Sequence, residues 1–580
     1  MSLDNNNQPE TKSLIVAACV FGAIMFGYNY FFSSPQAEQQ VQQPKDAVGD
    51  TEDENSEANK DEDSNKTDDM DGMSVDEALT RGDPRVTIEN ARLVGSINLN
   101  GGIIDCITMK DYKETIEPSS KNVMLLTPKG TSHEFYYSIT YNEKINHEAV
   151  AESTVWADSK ANGSKSTVTL RTHTKGGLLI ERTISLDDRY LVTIEDKIKN
   201  TSMGGLKVAS ASELVAKNPR HGNYAVVHEG FVGQKDDAIE EIKYSDVEGT
   251  QKLNQSTWFG YTDIYWLCAL INTEKGTKLA YSRKSEDLYK IISSSKRDIK
   301  VGSGKTVTVR YRLYTGPKDI RLLRDYAKNL QIDRFEMAID FGWFFIITKP
   351  LIQLMDLLAR YISNMGLVIL LLTLLFKFLT YPLTNKSFRS AAKMKELQPQ
   401  IAALQQRYAH DKVRMNQELM AFYKKEKISP LSGCLPMLLQ APIFFCLYKV
   451  FFISIQMRQA PLFGWVNDLS VPDQMYIVNL FGLIDWAPPG FLRIGLWPLI
   501  MGVTMLIQQK LTSKKTVATE KKTSEQKMQE NLMLIMPVMF TYICASFPVG
   551  VVIYWTISNV ISALQQYYAN RGLAKARGRR

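Results

Sequence analysis

NMGLVILLLTLLFKFLTYPLTNK, residues 364–386, is apolar from Met365 to Leu383 save for a few hydroxyls and one charge. At about 1.5 Å of rise per residue, that run is long enough to cross a bilayer as a helix. The charge is Lys377, about 9 Å of helix rise before Leu383. A cation inside hydrocarbon costs on the order of 2.5–3.5 kcal/mol on insertion scales. Two readings of Lys377 stand. Its stem can lean toward the nearer interface, or it can belong to a polar surface. Thr373, Lys377, Thr380, Tyr381 and Thr384 fall on one helical stripe, which should face protein or water rather than lipid.

The sequence on either side repeats the membrane signal. Upstream, Leu351, Leu354, Met355, Leu358 and Ile362 oppose Gln353, Asp356 and Arg360, so residues 335–363 read as an interfacial amphipathic helix with its lead-in. Downstream, Met394, Leu397, Ile401, Leu404 and Tyr408 keep a coiled-coil spacing, and Met415, Leu419 and Phe422 follow a break at His410-Asp411. Residues 384–430 therefore read as a helical hairpin. Its lysines and arginines, from Lys386 and Arg389 to Lys425 and Lys427, outnumber Glu396, Asp411, Glu418 and Glu426. They serve as a topology signal, or they touch lipid headgroups or RNA.

Further apolar runs place spans at 431–455, 493–509, 531–547 and 550–568, with a loop at 456–492. Residues 14–32 make a first span with Tyr28 and Tyr30 at its edge. Too few apolar residues precede Cys19 for cleavage there. The basic hairpin, the loop 510–530 and the tail 569–580 share one side if six spans leave both termini in the cytoplasm. Tyr554, Ser558, Ser562 and Gln565, with Trp555, Asn559 and Gln566 beside them, form a second polar stripe, and Gln440 lies between Pro436 and Pro442. Such groups are interhelical hydrogen bonds, or they line a wet cavity with Lys377.

Residues 33–81 are rich in Gln, Asn, Asp, Glu and Ser and lack the apolar content to fold, so they read as an acidic tether. Residues 82–334 change pattern. Val86–Glu89, Leu93–Leu99, Ser166–Arg171 and Thr306–Leu313 alternate apolar with polar, and glycine turns separate them. This is an antiparallel all-β domain of sandwich type, closed by Gly316-Pro317 and a helix near Ile320–Leu330. Six cysteines in 580 residues are no disulfide scaffold. Cys106 and Cys268 are read as unpaired, with a disulfide as the alternative. His133, His147, His173, His221 and His228 lack metal-ligand spacing, and no catalytic motif accompanies them. His228-Glu229 points to opposite faces of a strand. No catalytic residue, metal or cofactor is expected.

Several motifs resemble one family. They are Lys377-x-x-x-Tyr381-Pro382-Leu383-Thr384, Lys393-Met394-x-x-Leu397-Gln398-Pro399, Gly433-Cys434-x-Pro436-x-x-x-Gln440-x-Pro442-Ile443-Phe444, Arg458-Gln459-Ala460-Pro461, Met501-Gly502-Val503-Thr504-Met505 and Phe547-Pro548-x-Gly550. Together they are similar to the YidC membrane protein insertases of Gram-negative bacteria. The resemblance implies a polytopic α-helical membrane protein with six transmembrane helices, five of them an insertase core. It also implies a large periplasmic all-β supersandwich and a cytoplasmic helical hairpin. It implies a groove open to cytoplasm and lipid, with a single cation that draws acidic substrate segments inward. Lys377 fills a position that is usually arginine in the family. Lysine keeps the charge and loses the guanidinium fork. Groove and substrate-contact positions map to Thr373, Gln440, Ala441, Phe444, Ile543, Tyr554, Trp555 and Asn559. Ala441 is smaller than the residue expected there, and Trp555 replaces a tyrosine. Implied partners are nascent membrane proteins, the Sec translocon (SecYEG and SecDF), the ribosome, the signal recognition particle pathway and membrane lipids. The loop between Val471 and Trp497 is longer than in the best-known relatives, and Leu480–Leu492 is a candidate second interfacial segment. An ion- or proton-coupled transporter using Lys377 is the competing class, although its span holds no paired acid and no inverted repeat is evident. A membrane-anchored glycan-binding sandwich is the third.

Overall fold

The computed structural model describes residues 73–577 apart from residues 81, 144–148, 151–155, 159–164, 175, 220–226, 237, 254–255, 273–276, 286, 296, 409, 427–434, 485, 487 and 513–534. The expected first span, the acidic tether and most of the loop 510–530 lie outside the described residues. The chain divides into two units near Asp340 and Phe341.

In the first unit the described strands form an eleven-stranded and a nine-stranded sheet, with antiparallel pairing throughout both. Leu178–Leu186 shows why. Its residues alternate buried and half-buried without a break, so the period of two puts Leu178, Ile180, Ile184 and Leu186 on one inner face. The two inner faces interlock. Phe231 of the smaller sheet meets Tyr281 and Tyr289 of the larger at 5.4 and 6.0 Å between ring centres. Each of the four stretches expected to be strands is one, at Arg85–Glu89, Leu93–Asn98, Thr167–His173 and Thr306–Pro317.

One polar cluster sits inside this apolar sandwich. Arg182 faces inward on Leu178–Leu186 and pairs across the strands with Asp196, both almost fully buried. Arg182 Nε donates to Asp196 Oδ1 at 2.9 Å and Nη2 to Oδ2 at 2.8 Å. Tyr141 of the opposite sheet donates its hydroxyl to Asp196 at 2.6 Å, and the Trp156 ring lies 4.5 Å from the guanidinium. A buried pair holds when further partners meet its remaining donors and acceptors, and Arg182 Nη1 also donates to Gly102 O at 3.3 Å.

Cys106 and Cys268 are buried free thiols, so the disulfide alternative is set aside. Burial pushes both thiols up, Cys268 to about 12. The short helix α1 (Val75–Thr80) precedes the first strand, and α2 (Ile320–Leu330) follows the last one. The Asp319 carboxylate accepts from the amides of Arg321 and Leu322, an N-cap that starts α2 at the expected place. Its buried face is Ile320, Leu322, Leu323 and Tyr326.

The second unit is helical: α3 (Phe345–Ala359), α4 (Met365–Glu396), α5 (Gln398–Arg407), α6 (Lys412–Lys425), α7 (Leu435–Ile453), α8 (Leu496–Thr512), α9 (Ile535–Cys544) and α10 (Val549–Arg577). By length and composition, Met365–Met394 is the one described helix sufficient to cross a membrane. The helix does not stop at Leu383, where the apolar run ends. It passes through Pro382 and reaches Glu396. Nearby hydroxyls take up carbonyls of this stretch: Thr380 donates to Phe376 O and Thr384 to Thr380 O, each at 2.8 Å.

The interfacial helix needs one correction. Asp356, assigned to a solvent-facing side of α3, is buried. Its Oδ1 accepts from Gln456 Nε2 at 2.5 Å, just beyond the end of α7. Trp343, Phe344, Phe345, Ile346 and Leu357 are exposed instead. Asp356 thus turns to protein on the same side as Leu351, Ile352 and Met355, while Phe345, Ile346, Ile347 and Leu357 face outward. In the hairpin, Ile401 of α5 and Leu419 of α6 are buried, and Lys393 Nζ donates to Glu426 O at 2.7 Å.

Candidate functional site

The polar stripe of α4 meets the polar stripe of α10. Lys377 Nζ donates to Ser562 Oγ at 2.8 Å, 185 residues apart in sequence. Ser558, Asn559, Ser562 and Gln566 are all buried. Their spacing of three and four residues puts them along one side of α10. Lys377 is therefore turned to protein rather than lipid. The hydroxyl is a partner that a cation at this depth otherwise lacks.

About 10 Å along α10, seven residues nearer its start, a second cluster forms. Gln440 Nε2 of α7 donates to the Tyr554 hydroxyl at 2.6 Å. Phe444 packs on Trp555 with 4.6 Å between ring centres, and Phe540 of α9 reaches the same indole at 5.4 Å. Phe547 stacks on Phe444 at 6.3 Å. These rings tie α7, α9 and α10 together. Asn559 leans the other way, its Nδ2 lying 3.4 Å from Thr504 Oγ1 on α8.

The positions expected at the site are thus distributed in three places. Lys377 is with Ser562. Gln440, Tyr554, Phe444 and Trp555 share the aromatic cluster. Asn559 bridges to α8. Thr373 is fully buried, and its hydroxyl donates to Ile369 O at 2.7 Å. Ile543 is half-buried on α9. Ala441 belongs to α7, and its side chain lies outside the described residues. Ser562 was not among the expected site residues. The signal for it was present, since it stands four residues after Ser558 and eight after Tyr554.

The loop after α7 fastens the starts of three helices. Asn364 Nδ2 donates to Leu462 O at 2.8 Å, beside the first turn of α4. The amides of Val549 and Gly550 donate to Val471 O and Leu469 O at 2.8 and 3.1 Å, which satisfies orphan donors of α10. The buried Asp473 carboxylate accepts from Trp465 Nε1 and Met475 N at 3.1 Å and from Trp497 N, in the first turn of α8, at 2.7 Å.

In the β unit His228 is held by backbone. Its Nε2 lies 2.7 Å from Phe231 O and its amide donates to Asp340 at 3.0 Å. Burial pushes the imidazole below its ordinary value. Among the described residues no group of three or more His, Cys, Asp or Glu side chains is placed to hold a metal ion.

Two family models match the chain. Residues 357–576 match the 60Kd inner membrane protein family and residues 85–354 match the YidC periplasmic domain. A protein of Rickettsia prowazekii described as "Membrane protein insertase YidC" is 37% identical, over 98% of this chain and 100% of its own length. One of Beijerinckia indica with the same description is 37% identical, over 96% and 95%. Among solved structures, a galactose mutarotase related enzyme from Lactobacillus acidophilus is similar to 40% of this chain and 97% of its own, at 10% identity and a TM-score of 0.29. A likeness that slight carries no argument about activity.

Proposed function

The chain belongs to the YidC family of membrane protein insertases, a membrane protein with a periplasmic domain; from that premise we propose that α4, α7, α8, α9 and α10 form a groove that inserts and folds membrane proteins, with Lys377 as its cation. The observation that carries this reading is the hydrogen bond from Lys377 to Ser562. It joins two polar stripes inside an apolar helical unit, where a lysine at a lipid face would have no such wall.

The mechanism involves no covalent chemistry. A polar segment of a nascent membrane protein leaves the cytoplasm through the groove, which shortens its path through hydrocarbon. Lys377 attracts acidic groups in that segment, because a charge poorly screened by water acts more strongly. The aromatic cluster at Phe444 and Trp555 and the loop fastened to α10 close the far end. The apolar part of the substrate then slides into lipid, driven by roughly 25 cal/mol per Å² of apolar surface removed from water. Lysine in place of arginine presents a point charge without the bidentate fork, so it selects for charge more than for carboxylate geometry. Six spans with both termini cytoplasmic, and the Sec translocon, ribosome and signal recognition particle pathway as partners of the basic hairpin and tail, complete the proposal.

The test is purified protein in liposomes given a small coat-protein-like substrate with an acidic translocated tail. Protease protection of the tail, without solute flux across the vesicle, supports the reading. Flux without insertion refutes it.

A further inference from the structure

Between α7 and α8 the chain makes a closed excursion. Tyr476 and Gly495 bridge its two ends, and the amide of Leu496 donates to Met475 O at 3.1 Å. The root is thus pinned at the first residue of α8. Asp473 holds it from below through Trp497 N at 2.7 Å. A Cβ on Gly495 would meet the Asp473 Cβ at 2.5 Å, so the two ends are in direct contact.

The excursion is inverted for a segment in water. Ile477, Leu480, Phe481, Leu483, Ile484 and Trp486 are all exposed, Leu483 at 86%. The backbone meanwhile binds itself: Phe481 N donates to Tyr476 O at 2.9 Å, Ile484 N to Asn479 O at 3.1 Å and Leu480 N to Ile477 O at 2.9 Å. Asp485 and Arg493 are the charged residues between 474 and 495, so the segment is neutral. Apolar side chains turned outward, amides met internally and a tryptophan at the edge are what a bilayer interface selects.

We propose that residues 477–486 are a membrane-docking lobe, seated among headgroups and upper acyl chains of the periplasmic leaflet. The occupant is lipid because the lobe's root is the start of a membrane helix, so the exposed side chains stand at bilayer level. This rests on the proposal that α8 crosses the membrane. The lobe has no basic residue and Asp485 is its one charge, so zwitterionic lipid is sufficient, with no need for anionic headgroups. The docked lobe holds in place the loop whose carbonyls meet the first amides of α10.

The experiment uses the full chain in phosphatidylcholine vesicles, with an environment-sensitive fluorophore at Leu483→Cys or, separately, at Ile484→Cys. Labels at Val503→Cys, exposed on α8, and at Met203→Cys, fully exposed in the β unit, are the references. Wild type carried through labelling is the blank. The expected result is blue-shifted emission and quenching by nitroxide lipids at the lobe and at Val503, with neither at Met203. A lobe label that emits as in water while Val503 is quenched overturns the lobe alone. Loss of quenching at Val503 overturns the spanning reading and the lobe with it. A lobe label that is blue-shifted but not quenched by lipid means a protein surface covers it, and overturns the assignment to lipid.

Discussion

Replacing Lys377 with methionine keeps an unbranched stem and removes the ammonium. Among the described residues, that group has a hydrogen-bond partner in Ser562 Oγ at 2.8 Å. A hydrogen bond to a charged group contributes about 1.5–3 kcal/mol, and the same range applies when a substrate carboxylate takes the hydroxyl's place. Since about 1.4 kcal/mol is a factor of ten, Lys377→Met should slow insertion of an acidic-tailed substrate by about tenfold to a hundredfold. Lys377→Arg should keep most of the rate, and Lys377→Glu should be slowest because like charges repel there. Substrates with neutral tails should change little. Folding stability should move the other way. Removing a cation at bilayer depth relieves an insertion cost of about 2.5–3.5 kcal/mol, so Lys377→Met should melt in detergent no lower than wild type. Protease protection of the translocated tail, at matched protein in liposomes, reads the rate. Equal rates for the Met, Glu and Arg variants on an acidic-tailed substrate would refute the groove role and leave a lysine that merely leans toward the interface.

Arg182→Leu strands the Asp196 carboxylate inside the sandwich, which should cost about 3–5 kcal/mol in denaturant unfolding of the β unit, while Arg182→Leu with Asp196→Leu should recover most of it. His228 is held neutral, with its imidazole lowered by burial, so the native state binds fewer protons than the unfolded chain. Stability of the β unit should therefore be full above about pH 6.5 and fall as the pH drops through the unfolded value toward the lower folded one. His228→Gln should flatten that slope, and an unchanged slope would count against it. Deleting residues 86–311 while retaining α2 should leave insertion largely intact; complete loss in a stably expressed deletion contradicts this. Removing residues 394–422 should impair insertion and ribosome binding with the remaining helices folded; two unchanged readouts reduce the hairpin to a topology signal.

Much of this molecule was legible in local sequence because its signals are periodic. Alternation marked Thr306–Leu313 and Val86–Glu89 as strands, and helical spacing of apolar residues after Gly316-Pro317 marked α2. An apolar run with one polar stripe marked α4 and singled out Lys377. Periodicity names the face of an element and says nothing about which other element covers it. The partner of Lys377 was therefore hidden, since Ser562 was one of several polar residues on a helix 185 residues away. The burial of Asp356 depended on where Gln456 arrives after α7. Arg182 carried no signal in the sequence, and only the facing Asp196, with Tyr141 from the other sheet, makes an inward arginine tolerable. The run of α4 past Leu383 had the same origin. Hydropathy marks where hydrocarbon ends, whereas the helix ends where its backbone hydrogen bonds stop, at Glu396.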